Sequence, residues 1–492
     1  MFAITKVRAP SFLASPQEIA LYDAVVNNCD DYVEVRYRCR QKTEISWRDG
    51  ADPKVETVER AGFAVRTANR GAAPYFFEES ADAALELLRQ LRQQDTVDAA
   101  PRKCVCPPPL VGDFAPKYPA DSTATANLAR KVRLLEQYKD ELSRRSAGFG
   151  TPAAHYVDWK ETVYVLTASG VAARDIRLGA GIELELSLGT AFAWPSAIVE
   201  LGGSAFEDDL QDVESAVTNL TDMSVRIQAA RTVAPGSYPV IMDPELSGVF
   251  AHEVVGHLME ADLLASNLAS AFRLQPGTQL AIGSFSVVDD PTIQGEGSYA
   301  FDDEGFPAVP VALIRHGRVA GLLHSGATSR YFLQQPNGRA RAVEWDEPPV
   351  VRMSNTIVEP GNHAVDELFL GIRKGIYARG ARSALGGTSF TIVPREAWWI
   401  ENSRITNPIG GFEFTGESMD ALSAITAVAD DVRLYGGGIG GCFKNGQGPL
   451  RTGSGGPHIR LSSLLVVPVR GSSAEPSREN SPEITCAGDR SA

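Results

Sequence analysis

The chain has 492 residues, a formal net charge of −14, 43% hydrophobic and 22% charged residues. This is an ordinary globular composition, too long for one small core, and an acidic chain without a basic run argues against nucleic acid as a partner. It holds no apolar stretch of the roughly 18 residues a membrane span needs, and the opening MFAITKVRAPSFLASPQE lacks a continuous apolar core of signal-peptide length, so no membrane association and a cytoplasmic location are expected.

In chain order, residues 16–29 predict a helix, with Ser15 as N-cap and Glu18 in capping-box position. Strand-like runs follow at Tyr32–Arg38, Thr43–Trp47, Val55–Arg60 and Gly62–Thr67, and a helix at Ser80–Arg92 closes an N-terminal α+β domain over 1–98. Prolines through 99–121 exclude helix and interior strand and mark a linker. Its Cys104 and Cys106 are too tightly spaced for a redox or zinc-ribbon motif, and six irregularly spaced cysteines make no disulfide framework. A middle α+β domain spans 122–232. Its first helix places Leu128, Val132, Leu135, Tyr138 and Leu142 at helical spacing, Ile182, Leu184, Leu186 and Leu188 alternate with polar residues as in a half-buried strand, and a helix over about 207–231 ends it. Residues 233–470 form short apolar runs between glycine-rich turns, with one long helix near 246–264, and the Pro/Ser-rich tail 471–492, including Cys486, reads as disordered. The fold class is therefore α+β: two small α+β units, then a mostly antiparallel β domain carrying one embedded helix.

That helix contains FAHEVVGHLMEAD, with His252, Glu253 and His257 in the order H-E-x-x-x-H. The familiar zinc-protease motif has one residue fewer between its histidines. At about 100° per residue, positions i and i+5 point about 140° apart, so a regular helix cannot aim both at one ion. A π-bulge absorbs the extra residue, and Gly256 within the spacer eases the distortion. Two histidines do not make a catalytic zinc site, which needs a third ligand and an open position. Cys442, in GGGIGGCFKNGQ, is a candidate, balanced against a buried cysteine in a glycine-rich turn. His324 in GLLHSGATSR is the main rival, ahead of His316, His363 and His458.

The pieces HEVVGHLMEAD, GEGSYAFDDEG, VRMSNTIVEPG, REAWWIENSRITNPIGG and GGCFKNGQ, in this order, resemble the TldD/PmbA family and specifically its zinc-bearing TldD-type subunit. The resemblance covers about 30–470 and is clearest after 236. It implies that His252, His257 and Cys442 hold Zn²⁺, that Glu253 matches the glutamate beside the first ligand, and that the protein is a peptidase acting on extended or unfolded peptides. It also implies a homodimer, or a heterodimer with a zinc-less PmbA/TldE-like subunit. YARGARSALGGTSFTIVPREA departs from the family's usual text and puts substrate choice in question.

On this reading Glu253 is the general base for a zinc-activated water, and an extended peptide pairs with a sheet edge with little sequence preference. The alternatives are a zinc-dependent amide hydrolase in a natural-product pathway and a non-catalytic subunit of a paired assembly. Glu260 or Asp262 could orient a ligand histidine or simply end the helix. Asp302, Asp303 and Glu304 read as an acidic hairpin turn. Arg352 and Asn355 could line a groove or serve packing. The glycines 453, 455 and 456, with no helix following, are no phosphate loop.

Overall fold

The computed structural model of the chain describes residues 9–11, 13, 15–26, 33–67, 75–94, 105–114, 123–189, 194–203, 210–267, 273–436 and 439–469. The expected tail, Cys104 and Cys486 lie outside these residues.

The first helix, α1 (Pro16–Val26), starts as its sequence predicts. Ser15 Oγ accepts from the Glu18 N–H at 3.1 Å, and Glu18 Oε2 accepts from the Ser15 N–H at 2.9 Å, the reciprocal capping box. The four expected strand runs fuse into two long strands, β1 (Val33–Arg48) and β2 (Lys54–Thr67), paired without a break from Val33↔Thr67 to Ser46↔Lys54. The polar residues between the runs, such as Arg40 opposite Arg60, do not interrupt the ladder, because its bonds come from the backbone. β3 (Tyr75–Glu78) and α2 (Ala81–Gln94) follow.

The expected boundary at 99–121 falls inside one sheet. β5 (Thr151–Thr167) pairs with β1 from Glu34↔Thr167 to Arg48↔Ala153, so both N-terminal segments build a single seven-stranded sheet in the order β3-β2-β1-β5-β6-β4, with β7 (Ser196–Gly203) also on β6 (Val171–Ser187). Part of the expected linker contributes β4 (Leu110–Phe114), parallel to β6 at the sheet edge. An edge is where a strand tolerates the prolines just before it. Two helices, α3 (Leu128–Arg145) and α4 (Val213–Ala229), cover this sheet. Leu135, Tyr138 and Leu142 are buried in a core that also holds Ile182, Leu184 and Leu186, whereas Leu128 is exposed.

Beyond residue 235 the expected antiparallel-rich domain is present. Strands Gly236–Met242, Ile459–Pro468, Phe412–Glu417, Ser389–Glu401 and Lys374–Leu385 pair in succession, and the last returns to the first, so five strands close a ring without a free edge among them. A second, six-stranded sheet includes Asn355–Val358 and Gly453–Gly456 as a parallel pair. Helix α5 (Pro244–Ala251), capped by Asp243 Oδ1 on the Leu246 N–H at 2.9 Å, packs against strands of both. A Cβ at Gly248 would lie 2.4 Å from the Gly455 nitrogen, so helix and strand touch backbone to backbone. Around it a Cβ at Gly453 would lie 2.3 Å from Asn355 Oδ1, one at Gly455 2.4 Å from the Arg433 carbonyl, and one at Gly456 2.8 Å from Ser247 Oγ, so each of these glycines meets a different neighbour.

The acidic run 302–304 does make a turn, but a buried one, which corrects the expected solvent-facing hairpin. Asp302, Asp303 and Glu304 are at most 3% exposed. Asp303 accepts from Arg38 Nη2 at 2.7 and 2.6 Å, and Glu304 from Arg66 at 3.1 Å. These arginines come from β1 and β2, so the run ties the N-terminal sheet to the C-terminal domain. Among the described residues, no helix is long and apolar enough to cross a membrane.

Candidate metal centre

Helix α5 runs into a π-turn over His252–Gly256, then a 3₁₀ turn over His257–Met259, and the chain leaves helical geometry at Glu260 before α6 (Ala261–Ser266). The single long helix expected over 246–264 is thus broken at the H-E-x-x-x-H motif. The His257 N–H donates to the His252 carbonyl, five residues back. That bond takes up the extra residue and swings both imidazoles to one side, with ring centroids 5.2 Å apart and planes at 90°. Gly256 contributes through size: a Cβ there would lie 1.8 Å from Met353 Sδ.

Cys442 reaches the same point from a hairpin of Cys442–Lys444 and Gln447–Leu450. Its tip, Asn445-Gly446, has φ of 52° and 77°, the left-handed pair that a two-residue hairpin turn requires. The fully buried Arg352 donates through Nη2 to the Cys442 carbonyl and fixes the strand from behind. Cys442 Sγ lies 3.4 Å from His257 Nε2. The ligand atoms of His252, His257 and Cys442 all fall within 4.8 Å of one another, and all three residues are buried.

The electrostatics favour a thiolate. Burial pushes the Cys442 thiol up, but His252 and His257 outweigh it and hold the group well below the usual thiol range. Burial pulls both imidazoles down; Cys442 reverses this for His252, and Cys442 with Glu260 reverses it for His257, so both end above the usual histidine value. The deprotonated thiol is the form that binds metal.

Around the donors, Glu260 rather than Asp262 orients a histidine. The His257 Nδ1–H donates to Glu260 Oε2 at 2.9 Å, leaving Nε2 to face Cys442. Burial raises the Glu260 carboxyl, but His257 and Lys444 bring it below its ordinary value. Lys444 was missed in the sequence, although it stands two residues after Cys442. Its Nζ lies 3.2 Å from Glu260 Oε2 and donates to Asp262 at 2.7 and 2.8 Å and to the Val351 carbonyl at 2.7 Å. It links the cysteine hairpin to the histidine segment. Glu253 holds Oε2 at 3.8 Å from His257 Nε2. Burial lifts its carboxyl above the usual range against the pull of the two histidines.

The rival histidines lie elsewhere. His324 follows Leu323, which pairs with the backbone at Glu260, but its ring turns to Thr328 Oγ1 at 3.3 Å and to the Phe332 ring. Burial lowers its pKa to about 4. His316 is exposed in its turn, His363 pairs with Glu367, and His458 pairs with Asp431 at 2.7 Å. Asn355 is buried and bonds the backbone at Asp290, Ile293 and Gly297, so Arg352 and Asn355 take the packing role. The segment that departs from the family text forms the Lys374–Leu385/Ser389–Glu401 hairpin, and the Gly387 N–H at its tip donates to the Glu253 carbonyl at 3.1 Å.

Residues 235–467 match the family model described as the PmbA/TldA metallopeptidase C-terminal domain. A metalloprotease of Synechocystis sp. is 31% identical over 461 residues, covering 89% of this chain and 94% of that protein. A zinc metalloprotease TldD homolog of Saccharolobus solfataricus is 34% identical over 263 residues, 52% of this chain and 58% of that one. The crystal structure of TldE from Thermococcus kodakarensis superposes with a TM-score of 0.69 at 16% identity, covering 91% of this chain and 100% of that one, a likeness of fold alone.

Proposed function

The chain belongs to the PmbA/TldD metallopeptidase family, and on that premise we propose that it is a zinc-dependent peptidase hydrolysing extended or unfolded peptides. The observation that carries this reading is the convergence of two imidazoles and a thiolate, with a carboxylate beside them outside the donor set. The residues fit zinc: the donors are nitrogen and sulfur, they number three as in a catalytic site, and a carboxylate holds the far nitrogen of one imidazole. Zinc so held supplies a Lewis acid and an acidified water with a pKa of about 7.

The chain's own groups do the rest. Glu253, its carboxyl raised above the ordinary range by burial, takes the proton of the attacking water at a carboxylate oxygen and hands it to the leaving amine nitrogen. Glu260 keeps the proton of His257 on Nδ1. Within this reading residues 233–470 are the peptidase domain, preceded by the single N-terminal sheet and its helices, and the protein works in the cytoplasm. Pairing with itself or with a zinc-less TldE-like subunit belongs to the same proposal, supported by the fold shared with TldE.

Glu253→Gln tests the assignment. It should keep zinc and fold and lose about 10²–10⁴-fold in peptide hydrolysis, measured by elemental analysis and quenched-peptide cleavage. Near-wild-type turnover by the zinc-loaded variant would overturn the role of Glu253.

A further inference from the structure

A cleft of about 430 Å³ opens beside His257, within the size range of ligand sites. One wall is the segment after the histidine, with Leu258, Leu263 and Leu264; the other is the tip of the hairpin 385–391, with Leu385 and Phe390. His257 is the one ionisable side chain among the described lining residues. Phe390 is held edge-on against Phe250 at 5.9 Å. Leu263 and Leu385, by contrast, stand 37% and 74% exposed at the rim.

The wall is registered to the chemistry. The Gly387 N–H bonds to the Glu253 carbonyl at 3.1 Å, and a Cβ at Gly386 would lie 2.2 Å from that oxygen. The hairpin tip therefore rests directly on the backbone of the proposed base, and the opposite wall continues from a proposed zinc ligand. A group filling this cleft sits beside the reacting bond.

We propose that the cleft is the side-chain subsite for a residue flanking the scissile bond, and that it selects apolar side chains of the leucine and phenylalanine class over glycine, aspartate and lysine. The inference rests on the peptidase reading above and adds to it a sequence preference that main-chain pairing does not supply. A charged side chain would leave water for a lining of leucine, phenylalanine, serine, threonine and asparagine side chains, in which the one ionisable group, His257, is already held by Glu260. Glycine would leave the leucines in contact with solvent.

The test uses the zinc-loaded full chain and a glycine/serine-rich quenched peptide carrying one variable residue, Leu, Phe, Gly, Asp or Lys, with the cut located by mass spectrometry. The Leu and Phe peptides should exceed the Gly peptide in kcat/KM by about 10-fold or more, since each methylene in an apolar pocket is worth about 10-fold or more. Asp and Lys should be poorest, and the cut should move with the variable residue. Leu385→Ser and Leu263→Ser should lower the Leu-over-Gly ratio several-fold at unchanged zinc content. Equal kcat/KM for all five peptides, with cuts independent of the variable residue, removes the subsite and leaves the peptidase reading standing. No cleavage of any peptide by the zinc-loaded protein removes both.

Discussion

Replacing Glu260 with glutamine keeps the shape of the side chain and removes its charge. Glu260 is fully buried and uses one oxygen, Oε2, for both the His257 Nδ1–H at 2.9 Å and Lys444 Nζ at 3.2 Å; Oε1 has no hydrogen-bond partner among the described residues. The glutamine amide can therefore put its NH₂ where Oε1 was and keep its oxygen on both donors. A hydrogen bond with a charged partner contributes about 1.5–3 kcal/mol and a neutral one about 0.5–1.5, so the exchange costs His257 about 1–1.5 kcal/mol. At 1.4 kcal/mol per tenfold this is about a tenfold loss of zinc affinity, the lower end of the roughly 10–100-fold seen when such outer partners change. Lys444 keeps Asp262 at 2.7 and 2.8 Å, so its charge is not orphaned and the fold should hold. Chelator-competition titration of zinc into Glu260→Gln, beside thermal melting of the metal-free protein, reads the two effects apart. Zinc affinity within twofold of wild type, with a lowered melting temperature, would show that Glu260 only packs.

The other predictions address the donor set, the π-turn and the domain contact. His324→Asn should retain about one zinc per chain, whereas Cys442→Ala should lose it; elemental analysis showing the reverse would exchange their roles. Gly256→Ala places a methyl group into Met353 Sδ and should cost about 1–3 kcal/mol by overpacking, with weaker zinc binding that Met353→Val partly restores, measured by denaturant melts and zinc titration. Asp303 has a pKa of about 2, because the Arg38, Arg36 and Arg177 charges outweigh burial. Its folded value lies below the unfolded value of about 3.9. Its contribution of about 2–3 kcal/mol is therefore complete above about pH 4 and lost as pH falls through about 2. Asp303→Asn should lose about 3–5 kcal/mol at neutral pH by leaving buried arginines uncompensated and should flatten the stability profile between pH 4 and 2; an unchanged urea midpoint at neutral pH would refute the pairing.

Local pattern was enough for what is decided locally. Ser15 and Glu18 announce their cap, Ile182 to Leu186 bury alternate side chains, and the one-residue excess in H-E-x-x-x-H demands the π-turn that is there. The motif set was also enough for the family, because several separated strings had to agree. Partnership across distance was not legible. Nothing in residues 33–48 says that they pair with 151–167, which is why one sheet read as two units. Asp303 reads as a turn residue until Arg38, 265 positions away, closes on it. In the sequence Cys442 was the third-donor candidate and His324 its main rival. Only the tertiary structure turns one onto His257 and the other onto Thr328. It alone brings Lys444 to Glu260, and the hairpin 385–391 onto the backbone of Glu253. A backbone conformation follows from a few neighbouring residues, whereas a site is assembled by sheet register and hairpin placement, which the whole chain sets together.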